Sequence, residues 1–130
     1  MGGTMRYMLD TTFVIDHQRD VHEAVERLRR IHEGGADPMV TSVVVSEAWA
    51  GAPHPDDPGL ERFLRYFEYI HPGPETARLA GRYRADARRG GFTLGLADAL
   101  IAATAYHADA TVLTRNVRDF ALTPVRVETY

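Results

Sequence analysis

Lysine is missing from the 130 residues, and all 15 basic side chains are arginine. Chemistry that needs a primary amine is thereby excluded: Schiff-base catalysis, the phosphate-gripping lysine of a P-loop, and receiver domains that pair a phosphorylated aspartate with a lysine. Cysteine is missing too, which removes disulfides and thiolate metal sites and fits a reducing cytoplasm. No apolar run approaches the roughly 18 residues of a transmembrane helix. The opening MGGTMRYMLD also lacks the apolar core of a secretory signal. The expectation is a cytoplasmic protein without a membrane partner. A net charge of −3 argues against binding nucleic acid through bulk positive charge. The histidines show no HExxH-type spacing, so no zinc site is expected, and His17 and His107 read as surface residues.

What is present belongs to an ordinary folded domain. With 45% hydrophobic and 25% charged residues, the chain has enough apolar material for one core of two or three layers. The domain is expected over residues 5–130, with residues 1–4 an unstructured or vector-derived extension. MRYMLD (5–10) reads as a buried strand and TTFVIDHQ as a short helix. Val21, Ala24, Val25, Leu28 and Ile31 mark an amphipathic helix closed by Gly34 and Gly35. DPMVTS is a strand whose Thr41 and Ser42 are good N-caps for the helix VVVSEAWAG. After the proline-rich turn 52–59, the spacing of Leu60, Phe63, Leu64, Phe67 and Ile70 predicts a helix, with a short strand near YIHPG. Two further helices, PETARLAGRYRADARRGG and LADALIAATAYH, precede the strand ATVLT, a turn or short helix RNVRDF, and a last strand in PVRVETY. Strands alternating with helices imply an α/β domain, with a mostly parallel sheet of four to five strands and helices on both faces.

In such sheets, sites form beyond the carboxyl ends of strands, and four acids are sent there. Asp10 ends the first strand, Glu47 follows the second, Asp98 opens the helix before the fourth, and Asp119 follows that strand three residues after Asn116. Each has a structural alternative. Asp10 can N-cap a helix, Asp98 can complement a helix dipole, and Asn116 with Asp119 fits a capping pair. Glu47 is harder to dismiss: its helical neighbours are Val43, Val44, Ala48 and Gly51, and no arginine lies within one turn. A carboxylate buried there needs donors or a cation. Clustered carboxylates raise one another's pKa values unless a cation holds them ionised. Mg²⁺ or Mn²⁺ suits oxygen ligands and phosphodiester displacement.

Taken together, MLDTTFVID, SVVVSEAWAG, LADALIAATA and VLTRNVRDF resemble the PIN-domain ribonucleases, and most closely the VapC-type toxins of bacterial toxin–antitoxin pairs. The resemblance runs from Met5 to the end. It implies a PIN-like fold and a metal-dependent endoribonuclease that inhibits translation. It also implies a homodimer and neutralisation by a VapB-like antitoxin. By this likeness Asp10, Glu47 and Asp98 match the acids that bind the divalent metal, and either Asn116 or Asp119 completes the set. Thr12 stands where relatives often carry asparagine or serine. Thr11, Thr12 and Thr114 match groups that orient the acids. Arg82, Arg84, Arg88 and Arg89 before Asp98, with Arg115 and Arg118 beside the last motif, are candidates for gripping RNA phosphates; a solvated helix face is the alternative for the first four. Phe63, Tyr66, Phe67 and Tyr69, spread around one segment, hint at a partner surface. A haloacid-dehalogenase-type phosphatase fits poorly, because Thr12 replaces its second aspartate and it needs a lysine. A non-catalytic PIN-like binding module stands as the alternative; losing two or more acids would signal it, and Asp10, Glu47 and Asp98 are all retained.

Overall fold

The central strands are built from residues that tolerate water on neither side. Met8, Leu9, Met39, Val40, Val112 and Leu113 are all fully buried, the continuous apolar pattern of a parallel sheet covered on both faces. The computed structural model describes residues 4–130, and the expected extension at 1–4 falls mostly outside them. The chain runs β1 (Arg6–Leu9), α1 (Thr11–Gln18), α2 (His22–Glu33), β2 (Asp37–Thr41), α3 (Ser42–Ala50), α4 (Pro58–Leu64), β3 (Glu68–Ile70), α5 (Pro74–Arg89), α6 (Leu96–His107), β4 (Thr111–Leu113), α7 (Val117–Phe120) and β5 (Val127–Glu128). The five strands form one sheet in the order β3-β2-β1-β4-β5. Every pairing is parallel, with Met8 opposite Met39 on one side and Val112 on the other.

That order places the site. From β1 the chain steps outward to β2 and β3, then returns across β1 to β4 and β5. With the right-handed crossovers that parallel sheets adopt, this order sends the helices after β1 and β2 to one face and those after β3 and β4 to the other. Open α/β sheets form their binding crevice at such a reversal, here the carboxyl ends of β1 and β4. Gly35 and Gly91 close α2 and α5 with φ of +72° and +84°. The next N–H groups reach back to Ile31 O at 3.1 Å and Ala87 O at 2.9 Å, as a left-handed helix terminus requires.

Two local expectations are corrected. The helix predicted from Leu60 to Ile70 ends at Leu64, and Glu68–Ile70 pairs with β2 instead. Phe67 and Ile70 still pack on the core, so their spacing mimicked a helix while the backbone served the sheet. Phe63 and Phe67 are half-buried, with rings edge-on at 4.9 Å; Tyr66 is 82% exposed. Thr41 occupies the N-cap of α3, but its side chain makes no capping bond and its Oγ1 is buried without a partner. Among the described residues, no helix is long and apolar enough to cross a membrane.

Candidate active site

Asp10 leaves β1 with its backbone N–H still donating to Leu113 O at 3.1 Å, so the sheet ladder carries it one residue past the strand. It holds the N-cap position of α1, yet its carboxylate makes no bond to the helix N–H groups. Instead Oδ2 accepts from Thr12 Oγ1 at 2.9 Å and from Thr114 Oγ1 at 2.6 Å. Each hydroxyl accepts in turn from a backbone N–H, Arg115 on Thr12 at 3.2 Å and Asn116 on Thr114 at 2.8 Å. A hydroxyl that accepts from an amide has its own proton free to aim elsewhere, and both protons go to one oxygen. Among the described residues nothing donates to Oδ1.

Glu47 is exposed, while Val44 and Ala48 of the same helix are buried. The expected burial of this carboxylate is therefore corrected. Val44 and Ala48 share the inward face of α3, and Glu47 is turned roughly 100° from Ala48, out to the crevice rim. There Thr11 Oγ1 donates to its Oε1 at 2.5 Å, so α1 holds it. Asp98, half-buried in the first turn of α6, has its carboxyl pushed up from 3.8 to about 6. Burial is the main cause, followed by the negative charges of Asp10, Asp119 and Glu47. Residues as far apart in sequence as Asp10 and Asp119 thus act on one carboxyl. Asn116 Nδ2 donates to Asp119 Oδ2 at 2.8 Å and to Asp98 Oδ2 at 3.4 Å. With carboxylates on both sides, only the NH₂ end of the amide can face them. Asn116 also makes no capping bond to α7, which removes the capping alternative.

The four acids share a pattern. One oxygen of each is held by a neutral hydroxyl or amide, and none pairs with an arginine among the described residues. Hard oxygen donors with one free oxygen each fit Mg²⁺ or Mn²⁺. Among the described residues no three acidic or histidine side chains already close on a single point. A cation that keeps several waters needs only one or two direct carboxylates.

The candidate arginines are treated unequally. Thr76 at the start of α5 bonds His107 at the end of α6, 2.8 Å apart, so the two helices run antiparallel. Arg88 and Arg89 therefore lie at the Asp98 end, exposed, with Arg89 on Asp86 at 2.6 Å. Arg82 lines a surface hollow with Tyr106, His107 and Pro124 and is not brought to the crevice. Arg84 Nε donates to Leu94 O at 3.2 Å, bracing the α5–α6 loop. Arg118 is exposed on α7, and Arg115 Nε pairs with Asp16 at 3.0 Å.

Asp16 and Tyr130 were not singled out from the sequence. Asp16 is buried beside Phe13 and Val14 on α1, and Tyr130 OH donates to its Oδ2 at 2.7 Å. Burial, then this bond to Asp16, holds the Tyr130 hydroxyl well above its usual pKa. The available signal was an acid inside the otherwise apolar run TTFVIDHQ. His17 is also not a plain surface residue: it is half-buried and stacks on Phe63 at 4.5 Å.

The profile of the PIN domain matches residues 7–124. Ribonuclease VapC19 of Mycobacterium tuberculosis is 32% identical over 117 residues, 90% of this chain and 94% of that protein. Ribonuclease VapC2 of Haemophilus influenzae is 28% identical over 121 residues, covering 89% and 90%. Among solved structures, a toxin–antitoxin complex from Klebsiella pneumoniae superposes with a TM-score of 0.77 at 26% identity, covering 95% of this chain and 96% of that one. VapBC2 from Rickettsia felis, bound to a DNA fragment from its promoter, superposes at 0.86 with 23% identity, covering 97% and 99%.

Proposed function

The chain belongs to the PIN-domain family, and on that premise we propose that it is an endoribonuclease toxin of the VapC type. It hydrolyses RNA phosphodiester bonds, thereby inhibits translation, and is neutralised by a VapB-like antitoxin. It works in the cytoplasm as a homodimer. The observation that carries this reading is that Asp10, Glu47 and Asp119 lie close enough to Asp98 to raise its pKa by their charge, with Asn116 bonded to both Asp98 and Asp119 and no arginine paired with any of the four among the described residues.

Asp10, Glu47, Asp98 and Asp119 are the acids that would hold Mg²⁺ or Mn²⁺, and Asn116 bridges the last two. Bound there, the cation would supply an activated water and neutralise charge building on the phosphoryl oxygens. The chain's own groups set the stage. Thr12 and Thr114 lock Asp10 Oδ2 and leave Oδ1 free, while Thr11 draws Glu47 inward from an exposed helix face. Asp98 at about pKa 6 must give up its proton before it serves as a ligand. Arg88, Arg89, Arg115 and Arg118 surround the crevice as contacts for backbone phosphates.

The test is cleavage of total cellular RNA by antitoxin-free protein with Mg²⁺, Mn²⁺ or EDTA, beside Asp98→Asn. Discrete fragments that appear only with a divalent cation and vanish in the variant are expected. RNA left intact under every condition would instead indicate a PIN-like module that binds without cutting.

A further inference from the structure

We propose that Asp16 and Tyr130 are positioning residues that hold the Arg115 guanidinium at the crevice rim as a clamp for an RNA backbone phosphate. The proposal rests on the nuclease reading for its substrate, but the side-chain contacts among Asp16, Arg115 and Tyr130 involve none of the four acids. The Asp16 side chain is 6% exposed and that of Arg115 is 60% exposed. A carboxylate so buried needs a partner, and Tyr130 OH already donates to its Oδ2 at 2.7 Å. Arg115 Nε meets the same oxygen at 3.0 Å. The Tyr130 ring is fixed in turn, edge-on to the fully buried Phe13 at 5.0 Å.

The manner of pairing distinguishes a clamp from simple neutralisation. An arginine that only compensates a buried carboxylate is best used through its two-pronged face. Here the closest approach to Asp16 is through Nε, and neither terminal nitrogen donates a hydrogen bond among the described residues. Those are the nitrogens that grip phosphate oxygens bidentately. The backbone of Arg115 is anchored too: its N–H donates to Thr12 Oγ1 at 3.2 Å, and Thr12 donates to Asp10 Oδ2 at 2.9 Å. One residue is thus tied through its main chain to the acid network and through its side chain to α1. RNA approaching four carboxylates needs a compensating positive charge, and a guanidinium fixed beforehand loses less freedom on binding.

The experiment measures binding of a short fluorescein-labelled single-stranded RNA in EDTA by anisotropy, across a salt series, for wild type, Arg115→Ala, Asp16→Asn, Tyr130→Phe and the double variants with Arg115→Ala. The proposal expects Arg115→Ala to weaken binding several-fold and to flatten the salt slope by about 0.7, the contribution of one phosphate contact on a single strand. Asp16→Asn and Tyr130→Phe weaken binding alone and add nothing in the Arg115→Ala background. Tyr130→Phe keeps the ring on Phe13, so it carries the test should Asp16→Asn fail to fold. Wild-type affinity and slope in Arg115→Ala overturn the clamp, as do losses at Asp16 and Tyr130 that add in full to that of Arg115→Ala. Cleavage assays with Mn²⁺ on the same samples separate the two readings. RNA bound with the expected pattern but never cut overturns the nuclease and leaves the clamp; RNA cut normally by Arg115→Ala with unchanged binding overturns the clamp alone.

Discussion

Asp98 is the side chain at which burial and repulsion meet, and that makes it measurable. Its folded-state pKa of about 6 lies above the ordinary 3.8, so the metal-free folded protein holds this proton more tightly than the unfolded chain does. The resulting stabilisation is complete below the unfolded value and is lost as pH rises through about 6. Asp98→Asn stays neutral throughout. In EDTA its stability relative to wild type should therefore climb from pH 4 to about 6 and level off above, as read by urea denaturation across pH; parallel curves would refute the assignment. With Mn²⁺ present, the cation must displace that proton, so its affinity should fall as pH drops below about 6, with proton release seen by calorimetry in two buffers. Thr114→Val tests the orienting role. It removes one of the two donors on Asp10 Oδ2, and losses of such partners weaken metal affinity or activity by about 10–100-fold. An unchanged cleavage rate and Mn²⁺ affinity would show that Thr12 alone suffices.

At the scale of elements, α6 joins the core to the site. Ala99, Ala102, Ala103 and Ala105 are fully buried on it, so the helix is nearly all backbone where it packs against its neighbours. Ala102→Leu has no room to grow into and should cost about 1–3 kcal/mol, measured by urea denaturation, with a parallel loss of cleavage because Asp98 moves with the helix. A stability unchanged within error would mean that the packing around α6 yields. The sequence made α6 plain, because small and apolar residues ran unbroken to a loop and the lone acid stood in its first turn. The strand ends at Asp10 and Thr114 were legible for the same reason: an apolar run stopped on a polar residue. The end of α4 was not legible, because Phe67, in the bend before β3, and Ile70, in β3 itself, pack on the core as well as they would from a helix. Glu47 was placed correctly near the second strand, but its burial was misjudged, since apolar neighbours on both sides in sequence do not say which face of a helix turns inward. The contact between Asp16 and Tyr130 spans 114 residues and left no local trace.

For the molecule as a whole, the decisive feature is charge placement rather than total charge. A chain with net charge −3 gathers four acids at one end of its sheet and, among the described residues, leaves them without an arginine partner. Folding without a cation therefore works against repulsion at the crevice, and a divalent ion that binds only the folded state should raise overall stability. Linkage sets the size: about 2.7 kcal/mol at a hundredfold excess over the dissociation constant. That stabilisation corresponds to several degrees in melting temperature for a domain of this length. The expected result is a melting temperature that rises with Mn²⁺ or Mg²⁺ concentration and returns to its starting value on adding EDTA. In Asp98→Asn the rise should be much smaller, although its metal-free protein melts at or above wild type at neutral pH. That opposite movement of the two quantities separates this account from simple damage to the fold, which would lower both. Raising monovalent salt should mimic only part of the effect, because screening weakens repulsion between exposed charges and acts less on a half-buried carboxyl. A salt response as large as that of Mn²⁺ would show that the crevice binds no specific ion.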